Sequence, residues 1–110
     1  MTELPKRYNA SNFLNGWLVG DFQPALLRTA EIEVAIKTFA AGEQEPRHLQ
    51  LKAHEATLVI SGECMLAGHH LVAGDILVIP PLFAGEFQAL EDCTLLAIKW
   101  PSLPEDKVLV

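Results

Sequence analysis

The chain has 110 residues, half of them hydrophobic, and a formal net charge of −6. That length makes one domain with one apolar core. The acidic balance, 8 Lys and Arg against 14 Asp and Glu, excludes the clustered basic surface a nucleic-acid backbone requires. No apolar run approaches the roughly 20 residues that span a bilayer, so no membrane partner is expected.

Glycine, proline, Asp and Asn recur at short intervals, a pattern of many short strands. Residues 1–12 read as an irregular arm without the apolar stretch of a secretory signal. Gly16 to Phe22 reads as a strand or extended lead-in. Gln23 to Leu27 predicts a single helical turn, because Pro24 suits a first helical position. Glu31 to Phe39 alternates, with Ile32, Val34 and Ile36 on one face and Glu31, Glu33, Lys37 and Phe39 on the other. This is a half-buried strand whose inner face is left open. Residues 40–43 make a turn, Arg47 to Leu51 a short strand, and Thr57 to Ile60 an apolar strand rich in β-branched residues.

Ser61 to Glu63 marks a bend. Cys64 to Val72 predicts a hairpin turning near Gly68 and His69, with His69 and His70 on the rim or outside. After a turn at Ala73-Gly74-Asp75, Ile76 to Ile79 reads as a buried strand, ended by Pro80-Pro81. Gly85 to Leu90 and Thr94 to Trp100 are two more strands, and a polar, proline-broken tail follows. The expected organisation is all-β in one domain, 1–110: an arm and lead-in strand (1–28), a barrel (29–100) and a C-terminal tail (101–110). Cys64 and Cys93 fit reduced, partly buried thiols of a cytoplasmic protein.

Two motifs carry the chemistry. The first has the spacing Gly42-x5-His48-x-Gln50-x4-Glu55-x6-Gly62; the second is the block Gly74-Asp75-Ile76-Leu77-Val78-Ile79-Pro80-Pro81. They resemble the two cupin motifs, with Gln50 where the second histidine of the first motif belongs and Gly85 where the second motif has its histidine. The stretches Gly16-Trp17-x-x-Gly20-x-Phe22, Val34-x-Ile36-Lys37 and Ile98-Lys99-Trp100-Pro101-Ser102-x-Pro104-x-Asp106-Lys107 are similar to small, single-domain RmlC-like cupins found among surface-polysaccharide and nucleotide-sugar genes. The resemblance implies a cupin double-stranded β-helix, or jelly-roll barrel, that pairs as a homodimer. It also implies a sugar-like or nucleotide-sugar ligand.

In metal-binding cupins two histidines, a glutamate and a third histidine hold one divalent metal. Residues i and i+2 of a strand share a face, so His48 and Gln50 both point into the barrel, with Glu55 on a neighbouring strand. One imidazole, one carboxylate and a weakly donating amide remain. The cofactor is therefore either none or one divalent transition metal on His48, Gln50 and Glu55, with water completing its shell. Otherwise the trio forms a metal-free polar pocket, or a structural cluster in which Glu55 pairs with His48. His54 and Glu86 point to the opposite face. Phe39 and Phe83 are candidate pocket walls, and so is Phe87, although strand aromatics also serve as core. Lys37 and Lys99 either reach an anionic ligand or snorkel to solvent. One of Trp17 and Trp100 is expected at a subunit contact.

The favoured function is binding of a small polar, sugar-like ligand by His48, Gln50 and Glu55, with Phe39 or Phe83 as an apolar wall. The alternatives are an isomerase- or epimerase-type enzyme with His48 as acid or base, and a ligand-free structural or regulatory dimer. Loss of the second-motif histidine argues against a dioxygenase of the usual cupin type.

Overall fold

Two-residue alternation governs most of the chain, and the computed structural model, which describes residues 3–110, resolves it into eleven strands. They are β1 (Trp17–Gly20), β2 (Leu27–Arg28), β3 (Glu33–Phe39), β4 (Gln44–Gln50), β5 (His54–Ser61), β6 (Glu63–Leu66), β7 (His69–Val72), β8 (Ile76–Ile79), β9 (Gly85–Ala89), β10 (Cys93–Trp100) and β11 (Lys107–Leu109). They form a six-stranded sheet, β2-β1-β3-β10-β5-β8, and a five-stranded sheet, β11-β4-β9-β6-β7. All pairings are antiparallel except β1 with β2. Two sheets facing each other make the double-stranded β-helix of a cupin barrel. No helix among the described residues is long and apolar enough to cross a membrane.

The closed end of the barrel is the apolar core. Val59, Cys64, Leu66, Leu71, Phe87, Ala89, Cys93 and Leu95 are buried there, with Phe39, Ala67, Leu77 and Ile79 packed against them. The Phe39 and Phe87 rings lie 4.5 Å apart between centroids. Burying a side chain the size of Phe87 contributes about 1.5–3 kcal/mol. Both cysteines are free and buried. Burial, with a smaller contribution from Cys93, pushes the Cys64 thiol up to about 11. Gly62 makes the tight bend between β5 and β6 at φ +82°, and a Cβ there would overlap the Asp92 carbonyl and Cys93.

Three local expectations change. Gln23 to Leu27 forms no helical turn: Leu26 N–H donates to the Leu18 carbonyl at 2.7 Å, and Leu27–Arg28 runs parallel to β1. The sheet edge supplies the hydrogen bonds a helical turn would have made for itself. The short 3-10 turns lie instead at Ala10–Asn12 and Leu14–Gly16, in and just beyond the expected arm, while Met1 and Thr2 lie outside the described residues. Strand β8 was expected to be buried, yet Ile76 and Val78 are 64% and 55% exposed. It is an edge strand, and its even-numbered residues point away from the barrel. His69 and His70 sit in β7 rather than in the turn before it, and both are exposed, as expected.

The C-terminal residues 101–110 are tied to the barrel. Ser102 is buried, accepts a hydrogen bond from Asp21 N–H and donates one to Glu33 Oε1, each at 2.9 Å. The buried Asp106 carboxylate accepts from Lys52 N–H and, at 2.9 Å, from Ala53 N–H. Beyond it, β11 pairs with β4, Lys107 opposite Gln50 and Leu109 opposite His48.

Candidate functional site

The inner face of β3 is the charged one. Ala35 is fully buried, and its face-mates are Glu33, Lys37 and Phe39, so Ile32, Val34 and Ile36 face outward. Strand register extends this face across the sheet. Glu33 pairs with Lys99, Lys99 with Glu55, and Glu55 with Ile79. The next inward row is Ala35, Ala97, Thr57 and Leu77, of which the short Ala97 and Thr57 border the space above. Trp17 of β1 lies opposite Ala35.

The result is a cavity of about 70 Å³ in the mouth of the barrel. Its walls include Trp17, Lys37, Glu45, His48, Gln50, Glu55, Phe83 and Lys99. His48, Gln50, Glu55 and Phe83 all line it. Phe83 is half-exposed at the mouth. Phe39 does not line this cavity; its ring packs on Phe87, deeper in the core. His54 points outward, as the alternation requires, and stacks on Trp100 at 5.5 Å with the rings 2° from parallel.

Lys37 and Lys99 do not snorkel to solvent. Their ammonium groups lie 5.2 and 5.0 Å from the Trp17 ring centre. Each also meets a glutamate, Lys37 with Glu45 and Lys99 with Glu33, both at 3.8 Å. Those separations are ion pairs too long for hydrogen bonds. Burial pushes Lys99 below the ordinary lysine range, against the opposing pull of Glu55 and Glu33, while Lys37 and Lys107 push the same way as burial. Of the two positions the sequence leaves open for Lys37 and Lys99, the structure takes the inward one, and Trp17, expected from the sequence only as a possible subunit contact, lines the cavity with them.

His48 is not the partner of Glu55. Its Nδ1–H donates to the Pro46 carbonyl at 2.9 Å, which leaves Nε2 unprotonated in the neutral ring. The charge in register beside Glu55 is Lys99. Gln50 is 6% exposed, and its Nε2 is buried with no hydrogen-bond partner.

The donor set does not fit a divalent metal of the cupin type. His48, Gln50 and Glu55 supply one imidazole, one amide and one carboxylate, and an ammonium competes for the carboxylate. No group of three or more His, Cys, Asp or Glu side chains converges among the described residues. Nor is there space for the missing histidine. A Cβ at Gly85 would lie 2.8 Å from the Ala67 Cβ, so a side chain there requires the turn between β6 and β7 to move.

No protein-family model matches the chain, and no curated protein matches it. Solved structures do. An uncharacterized conserved protein with a double-stranded β-helix domain from Klebsiella pneumoniae is 20% identical over 96% of this chain and 91% of its own, with a TM-score of 0.72. KdgF from Halomonas sp. is 23% identical over 71% of this chain and 74% of its own, with a TM-score of 0.63. An RmlC-like cupin protein from Desulfovibrio desulfuricans is 22% identical over 68% of this chain and 76% of its own, with a TM-score of 0.60. The shared feature is the fold.

Proposed function

We propose that this small cupin domain binds a hydroxyl-rich, sugar-like ligand in the mouth of its barrel, through side chains rather than through a complete metal site. The observation that carries the reading is the unpartnered Nε2 of Gln50. A buried amide donor without an acceptor costs about 1–3 kcal/mol, and a turn of the Gln50 amide toward a ligand oxygen in the cavity relieves that cost. The groups around it are of both kinds. Lys37 and Lys99 offer ammonium donors, and Glu45 and Glu55 offer carboxylate acceptors. A hydroxyl donates and accepts at once, so a run of ring hydroxyls answers such a mixed lining better than an anion or a cation does. Trp17 and Phe83 add apolar wall.

The reading extends to a cytoplasmic homodimer. Free, buried thiols at Cys64 and Cys93 support a reducing compartment, and the exposed Ile76 and Val78 support a subunit contact.

The test is an NMR titration with the methyl glycosides of glucose, galactose and mannose. The Gln50 side-chain amide and the Trp17 indole N–H are expected to shift saturably with at least one of them. If no sugar moves either signal, the barrel is not a sugar site.

A further inference from the structure

The barrel cavity alone is too small for a whole sugar ring. Its volume of about 70 Å³ is about half of the roughly 150 Å³ cavity that holds a benzene ring. It can seat one edge of a ring, and the remainder of the ligand must lie elsewhere. A second compartment of about 420 Å³ adjoins it, and Trp17, Gln50, Lys99 and Lys107 line both. Gln50, whose unpartnered amide carries the binding reading, therefore borders both spaces.

Apolar surface makes up most of the second space. The second is walled by Phe22, Pro24, Pro101 and Leu103. Its inner polar groups are already engaged. Asp106 is held by the Lys52 and Ala53 amides, and Glu33 by Ser102 and Lys99. Asn15, Gln23 and Glu105 are exposed residues of its lining. A compartment so built offers apolar contact on the wall of Phe22, Pro24, Pro101 and Leu103, and the hydrogen-bonding groups left to a ligand are the exposed Asn15, Gln23, Glu105 and Lys107. Its volume also exceeds the about 150 Å³ that suffices for a benzene ring in a dry protein cavity.

We infer that the ligand is amphipathic: a hydroxylated part meets Gln50, Glu55 and the lysines in the barrel, and an apolar substituent of ring size occupies the second compartment against Phe22, Pro24, Pro101 and Leu103. The chemical class is a glycoside, or a comparable polyol ether or ester, with an aromatic or alicyclic aglycone. The inference rests on the sugar-binding reading of the barrel and adds to it the part of the ligand that sets specificity. Apolar area removed from water supplies the affinity there, and the barrel's polar groups fix the orientation.

The experiment compares phenyl with methyl glycosides of glucose, galactose and mannose by the same titration, with Leu103 and Phe22 followed as reporters. For a sugar that binds, the phenyl glycoside is expected to bind at least about 10-fold more tightly and to shift Leu103 and Phe22. Leu103→Asp, checked for folding by thermal melting, is expected to bring the phenyl-to-methyl ratio close to one. Equal affinities, a phenyl preference that survives Leu103→Asp, or phenyl binding without shifts at Leu103 and Phe22 would each overturn the inference and leave the barrel site standing. If neither series moves Gln50 or Trp17, the barrel reading itself falls, and the amphipathic ligand with it.

Discussion

Gln50 carries a cost that the fold alone does not explain. Its amide is buried beside polar neighbours, yet Nε2 meets none of them. Exchange for methionine keeps the length of the side chain and removes the unpaired donor. Gln50→Met is therefore expected to raise the melting temperature, by an amount on the order of 4–8 °C for each 1 kcal/mol recovered, and to abolish the sugar-induced shift of the Trp17 indole. Differential scanning calorimetry together with the titration checks both. A lower melting temperature would mean that the amide is satisfied in solution. Such a gain in stability at the expense of binding is the usual mark of a functional site. Gly85 shows the same logic in reverse. Its missing side chain lets the backbone close against Ala67, so the metal ligand cannot be restored by one substitution.

At the scale of strands, alternation and punctuation were enough to place β3 through β10 to within a few residues, because each strand has a two-residue period and a Gly- or Pro-marked end. The spacing of His48 and Gln50 on β4, with Glu55 near the start of β5, sets the three along one cavity. What alternation could not supply was the sense of the faces. On β3 the aliphatic residues Val34 and Ile36 point out while Glu33 and Lys37 point in, since this barrel end is polar and the sheet's outer surface is apolar. A rule that sends charges to solvent fails at Lys37 and Lys99 for that reason. The tail was misleading in the same way. Its polar sequence conceals Ser102 and Asp106, which are buried because backbone amides from distant loops need acceptors there. Asp106→Ala strips acceptors from Lys52 and Ala53, and should lower unfolding stability by about 3 kcal/mol. Chemical denaturation measures the loss, and faster hydrogen exchange at Ala53 locates it. An unchanged midpoint would show that water replaces the carboxylate without penalty.

For the whole molecule, the outward apolar face of the six-stranded sheet is the feature left without a partner in a single chain. On β8 it presents Ile76 and Val78, at a sheet edge with free backbone groups. Neighbouring strands continue it, since Ala56 pairs with Val78 and Leu58 with Ile76, and Leu58 in turn with Leu96. A second copy covering this face would remove both the apolar surface and the open edge. The double substitution Ile76→Lys, Val78→Lys is expected to convert a two-chain species into a one-chain species by light scattering, with the thermal melt still cooperative. A wild-type mass of one chain at micromolar concentration would refute the dimer.

The two tryptophans stand on opposite sides of the sheet wall. Trp17 lies in the cavity between two ammonium groups, and Trp100 lies outside, stacked on an imidazole. The chain thus contains two native fluorophores whose surroundings are private to different events. Trp17 emission responds to whatever enters the barrel, and Trp100 emission to whatever covers the outer face. With one indole replaced by phenylalanine in turn, occupancy and association become separable optical signals in a single sample, without a label.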